Sequence, residues 1–263
     1  MLKTRLIPVL LIKNGQLVRS KTFSFHQIIG NPIHEAARYN EWNVDELIYI
    51  DISREGAHDP NRDDLNIEGY ENILDVLRLV AKQCFVPLTF GGGIRSFKDL
   101  EDRIQLGADK VTINTLALES PEFITEASRK FGSQAIVVSI DAKRNEFGSW
   151  DVVRNFGKDS TGLSPVDHAR TVEKAGAGEI FIQSVDADGT GKGYEIDLIR
   201  QVSAAVEIPV IACSGVGKYD DFVAGVTEGG ASAVSAANIF HFKELSDRHA
   251  KRTLVKNGIN VRA

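Results

Sequence analysis

The sequence predicts an α/β fold, a closed (β/α)8 barrel, from three observations. Short apolar runs alternate with amphipathic segments eight times over 263 residues. The runs are apolar throughout rather than alternately polar, as parallel strands covered on both faces require. The second half of the chain repeats the first, with four strand–helix units in each. That two-fold repeat favours a closed barrel over its rival, a doubly wound open sheet.

Taken in order, strands are expected at 5–11, 46–51, 86–90, 109–113, 135–140, 179–184, 208–213 and 232–236. Helices are expected at 31–42, 70–83, 96–106, 120–131, 164–176, 195–206, 218–229 and 243–257. Asn31-Pro32, Ser120-Pro121 and Ser164-Pro165 each set a capping side chain before a proline in the first helical turn.

The repeat aligns without gaps. Leu6 to Lys13 lies on Ile136 to Lys143, and Glu46-Leu47-Ile48-Tyr49 on Glu179-Ile180-Phe181-Ile182. Val86 to Gly93 recurs as Ile208 to Gly215, and Gly107-Ala108-Asp109 as Gly229-Gly230-Ala231. The chain therefore reads as one domain, 1–263, built of half-barrels at about 1–133 and 134–263. Each half ends its first strand on a lysine, Lys13 or Lys143, two residues beyond the position that matters for chemistry. There the second half has Asp141 and the first half has Leu11. Two facing carboxylates can act as general base and general acid; a carboxylate and a leucine cannot.

Composition bounds the function. A net charge of −5, with no basic stripe, argues against nucleic acid as a partner. Cys84 and Cys213 sit in apolar strand contexts and are expected as buried free thiols in a reducing cytoplasm. None of the six histidines pairs at ligand spacing, so neither a metal nor a cofactor is expected. No apolar run reaches membrane-spanning length, and no signal-peptide pattern opens the chain.

Three long segments follow strands: 12–30, 52–69 and 141–163. Loops after strands lie on the catalytic face of such a barrel. The 52–69 segment is strongly charged (Arg54, Glu55, His58, Asp59, Arg62, Asp63, Asp64) and is read either as a docking or covering loop or as a tolerated insertion. The third contains an alternating stretch, Ser149 to Val153, expected as a hairpin. Glycine-rich turns close strands three, six and seven: Gly91-Gly92-Gly93, Asp188-Gly189-Thr190-Gly191 and Ser214-Gly215-Val216-Gly217. Ala237-Asn238 follows strand eight. One such turn often needs only a positive φ. Three of them, with the turn after strand eight and related by the repeat, point to two anion sites and a ligand with two phosphates.

These motifs resemble the cyclase subunit (HisF) family of imidazole glycerol phosphate synthase over essentially the whole chain. The matching segments include Arg5-Leu6-Ile7-Pro8, Asp45-Glu46-Leu47, Phe90-Gly91-Gly92-Gly93-Ile94-Arg95, Gly107 to Thr115, Phe131-Gly132-Ser133-Gln134, Ser139 to Arg144, Gly176 to Ile180 and Ile239-Phe240-His241-Phe242. The resemblance implies a barrel that docks a HisH-like glutaminase on its N-terminal face and passes ammonia to a site at the other face. Asp141 matches one catalytic aspartate, and Leu11 stands where the other belongs. Gly93, Asn114 and Thr115 match one phosphate site; Asp188, Gly189, Thr190, Gly215, Ala237 and Asn238 fall at the other. Gln183, Ala187, Cys213, Ser214 and Asn238 depart from the family there, and Arg19 replaces a loop lysine. Arg5, Glu46, Lys110 and Glu179 match the ammonia gate, although four such charges are also read as a structural salt-bridge ring. Asp109 and Gln134 match the glutaminase interface.

The resemblance is nearest to a paralogue branch working beside an N-acetyl-sugar amidotransferase in acetamidino-sugar formation on surface glycans such as O-antigen, with cyclase activity lost. The implied ligand is a phosphorylated small molecule or phosphate ion. A genuine cyclase of histidine biosynthesis and a non-conducting scaffold are the alternatives.

Overall fold

A computed structural model describes residues 3–42, 44–53, 70, 72–242 and 245–262. Residues 54–69, which hold nearly all of the charged loop, and the predicted helix start at 243 lie outside the described residues. Eight parallel strands form the barrel: β1 (Arg5–Lys13), β2 (Leu47–Asp51), β3 (Leu88–Gly91), β4 (Lys110–Ile113), β5 (Ile136–Arg144), β6 (Glu179–Ser184), β7 (Val210–Cys213) and β8 (Ala233–Ala236). Each pairs with the next, and β8 closes on β1, with Leu6 opposite Val234. Outside lie α1 (Pro32–Glu41), α2 (Ile73–Gln83), α3 (Phe97–Gln105), α4 (Pro121–Phe131), α5 (Pro165–Ala175), α6 (Ile196–Ser203), α7 (Tyr219–Thr227) and α8 (Ser246–Lys256).

The period-two alternation of a strand sorts its residues between two cores. On β1, Leu6 and Leu10 face the helices and join the large outer cluster with Tyr39, Tyr49 and Phe90. Ile7 and Val9 face the lumen with Ile48, Val137, Phe181 and Ile211, a fully buried apolar plug. The same alternation places Arg5 below the plug and Leu11 above it. On β5 and β6 it places Asp141 and Gln183 at the top, in direct register.

Two of the three predicted caps form. Asn31 Oδ1 accepts from the Ile33 amide at 2.8 Å, and Ser164 Oγ from Val166 at 3.2 Å. Ser120 makes no cap bond. It ends a short unpredicted helix, Thr115–Glu119, and its hydroxyl donates to Glu122 instead. A second short helix, Asn238–Phe242, occupies the repeat-related place after β8.

The 12–30 segment is not a plain loop. β1 runs on to Lys13 and turns at Asn14-Gly15 into an antiparallel strand, Gln16–Lys21, which pairs with Phe25–Gly30. Asn14 and Gly15 both have positive φ, 51° and 75°. That is the two-residue hairpin signature, and it is carried by the Asn-Gly pair. The one expected hairpin, in 141–163, forms: the end of β5 pairs with Trp150–Arg154, which pairs in turn with Asp159–Ser160.

Candidate functional site

A cavity of about 930 Å³ opens at the C-terminal ends of the strands. Its lining includes Leu11, Gly93, Asn114, Thr115, Asp141, Asp188, Gly189, Gly215, Ala237 and Asn238, so residues from both halves meet at one mouth. β1 and β5 lie four strands apart around the barrel, and Leu11 and Asp141 therefore face each other across it. Leu11 packs on the apolar plug.

Asp141 is buried. Its Oδ2 accepts from Asn114 Nδ2 at 2.7 Å and its Oδ1 from Gln183 Nε2 at 3.0 Å. Burial pushes its carboxyl up to about 6; the amide hydrogen bonds from Asn114 and Gln183 pull against that, and the nearby Asp188 charge adds to it. The sequence marks Gln183 only as a departure. Its service as an Asp141 partner comes from the β5–β6 register.

Asp188 sits at the other side. Its Oδ2 accepts from Ser20 Oγ at 2.7 Å and from the Phe23 amide at 3.2 Å, and burial raises its carboxyl. Asn238 Nδ2 donates to the Ser20 carbonyl at 3.0 Å. The first hairpin thus folds onto the β6 and β8 turns. Asn114 and Asn238, on the turns after β4 and β8, behave alike: each gives its amide nitrogen to a protein acceptor and keeps a buried amide oxygen without a hydrogen bond.

The glycines do not all serve a ligand. A Cβ on Gly215 would stand 2.1 Å from the Gly193 carbonyl oxygen, so close backbone packing alone requires glycine there. Gly93 differs: it has φ of 64°, and the nearest atom to a Cβ would be Arg103 Nη2 at 3.6 Å. Arg103 itself is buried, with Nη2 donating to the Gly92 carbonyl at 2.6 Å and Nη1 to that of Asp99 at 2.8 Å. It buttresses the glycine turn from behind, and the motif reading missed it.

Thr190 is not brought to the mouth. Its hydroxyl donates to the Ala187 carbonyl at 2.8 Å and stabilises the turn after β6. Arg19 does not line the cavity either; its guanidinium stacks over Phe242 at 5.4 Å.

At the opposite end of the lumen the four charged residues close a ring. Arg5 Nη1 donates to Glu46 Oε1 at 2.7 Å and Glu179 Oε1 at 3.0 Å; Lys110 Nζ donates to Glu46 Oε2 at 3.0 Å and Glu179 Oε1 at 2.9 Å. Two acids and two bases neutralise one another. Asp109 and Gln134 are exposed near this end, and the Asp109 carboxylate accepts from the Leu88 amide at 2.8 Å. Cys213 is buried, its thiol pushed up to about 12 by burial; Cys84 is only half-buried, because it caps the C-terminus of α2. Among the described residues no three His, Cys, Asp or Glu side chains gather to hold a metal, and no helix is long and apolar enough to cross a membrane.

Fold and site define a class: a (β/α)8 barrel whose two similar halves bring glycine-rich turns and one buried aspartate to a shared polar mouth. The chain belongs to the histidine biosynthesis protein family, whose model matches residues 5–246. That membership agrees with the resemblance to HisF-like barrels.

Proposed function

We propose that this protein is the HisF-like subunit of a glutamine amidotransferase complex. It activates a HisH-like glutaminase docked over Asp109 and Gln134, passes ammonia through the Arg5–Glu46–Lys110–Glu179 ring, and does not cyclise. The ammonia goes to an N-acetyl-sugar amidotransferase that forms acetamidino sugars for surface glycans. Phosphate groups settle at Gly93, Asn114 and Thr115 on one side of the mouth, and at Asp188, Gly189, Gly215, Ala237 and Asn238 on the other. The observation that supports this reading is the pairing of Leu11 with Asp141 across the mouth while the charged ring below is complete.

The test gives the purified protein the family's bis-phosphate substrate and ammonium salt. Loss of one member of an acid–base pair is worth about 10²–10⁴-fold, so turnover is expected at or below that fraction of an ordinary cyclase. Turnover at the ordinary rate overturns the reading. Co-expression with a HisH-like glutaminase should yield one complex with raised glutamine hydrolysis; two separate species at micromolar concentration reject the partnership.

A second reading, a genuine cyclase, is favoured by one observation. Asp188 also has a raised carboxyl and is electrostatically coupled to Asp141. It would supply the acid that Leu11 does not, and the same assay decides.

A further inference from the structure

The repeat-related lysines at the ends of β1 and β5 have no part in the function proposed above. They meet in a second cavity, about 950 Å³, between the two hairpins. Lys13, Lys143, Lys158, His26 and Asp186 line it, and Phe23 and Phe156 line both it and the mouth. It is a vestibule to the mouth rather than part of it.

Its charge is unbalanced. Among the described residues, none of the three lysines has a carboxylate within ion-pair distance. Lys13 Nζ contacts His26 Nδ1 at 3.3 Å, and burial together with Lys13 holds that imidazole below its ordinary value, leaving it an uncharged acceptor. The Asp186 carboxylate accepts from the Arg144 amide at 2.9 Å. Asp151, opposite Lys143 in the hairpin register, accepts from Ser160 Oγ at 2.6 Å and Asn145 Nδ2 at 2.8 Å. Among the described residues, three ammonium groups and one carboxylate thus line one concave space, a surplus of two positive charges.

We propose that this vestibule binds a diphosphate ester. Lysines are compact point charges suited to phosphate oxygens. A surplus of two matches the charge of a doubly ionised diphosphate ester and exceeds that of a carboxylate. The volume is at the upper end of the range for small-molecule sites and holds the ester's organic group. The phenyl rings at the boundary with the mouth offer that group an apolar wall. The proposal stands whether the barrel cyclises, conducts ammonia or does neither.

Calorimetric titration of the full chain with inorganic pyrophosphate, uridine diphosphate and uridine tests it. Both diphosphates are expected to bind saturably and more weakly as salt rises, since exposed charges are screened; uridine alone is not. Lys143 and Lys158 are exposed, so their replacement leaves the core intact. The double variant Lys143→Met/Lys158→Met should weaken pyrophosphate binding about tenfold or more, as loss of two attractive charges requires, and either single variant should weaken it by less. The control double variant Lys174→Met/Lys256→Met, which removes two exposed lysines from outer helices, should not. No pyrophosphate binding to the wild type, unchanged binding in Lys143→Met/Lys158→Met, or an equal loss in the control each overturns the proposal.

Discussion

The two ends of the barrel lumen handle buried charge in opposite ways. At the N-terminal end, Glu46 and Glu179 each accept from both Arg5 and Lys110, and the charges cancel within the protein. At the C-terminal end, Asp141 is buried as well, but its hydrogen-bond partners are the amides of Asn114 and Gln183, which carry no charge. At the first end burial opposes the Arg5 charge, but the attraction of Glu179 and Glu46 outweighs it and raises the guanidinium. The second pushes its carboxyl towards the protonated form. The contrast separates a closed polar network from one that opens on the mouth, with the apolar plug of Ile7, Val9, Ile48, Val137, Phe181 and Ile211 between them.

The largest effect should come from opening the ring. Glu179→Leu removes an acceptor from both Arg5 and Lys110 and leaves two cations to share Glu46. Breaking a buried pair costs about 3–5 kcal/mol; because Arg5 and Lys110 keep side-chain exposures of 21% and 14%, a loss of about 2–4 kcal/mol is expected. Urea unfolding measures it. A loss no greater than that of an ordinary surface substitution would mean that the ring is not a coupled unit.

Next comes the proton on Asp141. Its folded-state pKa is raised from 3.8 to about 6. The stability it contributes is therefore full below its unfolded value and is lost as pH rises through about 6. At about 1.4 kcal/mol per unit, the penalty above that pH is about 3 kcal/mol. His168 and His241, each lowered to about 4 mainly by burial, act with the opposite sign: their contribution is present above 6.5 and is lost as pH falls through about 4. The wild-type curve mixes the two trends, so the informative quantity is the difference from Asp141→Asn. In unfolding titrations from pH 4 to 8, the variant should gain relative to the wild type as pH rises. A flat difference would show that Asp141 is not perturbed.

The smallest effect concerns Thr190. The family pattern assigns it to a phosphate site, whereas its hydroxyl bonds to Ala187 in the turn. Thr190→Val should cost about 1 kcal/mol, the worth of one hydrogen bond, and leave phosphate affinity unchanged by calorimetry. A fall in affinity would return Thr190 to the mouth.

What the sequence determined by itself follows from local pattern and repetition. Apolar runs and amphipathic stretches fixed eight strand–helix units, and the gapless match of Leu6–Lys13 to Ile136–Lys143 placed Leu11 and Asp141 at equivalent strand ends. Asn14-Gly15 also announced its hairpin, although only the positive φ values made it plain. The tertiary structure alone decided partnership. That Gln183 meets Asp141 rests on the β5–β6 register, that Arg103 supports Gly92 rests on how α3 packs, and that Thr190 turns away rests on one turn's backbone. The physical reason is distance along the chain. Periodicity reports which side of its own strand or helix a residue occupies, whereas hydrogen bonds between Ser20 and Asp188, or between Arg5 and Glu179, join residues 168 and 174 positions apart and exist only once the barrel has closed.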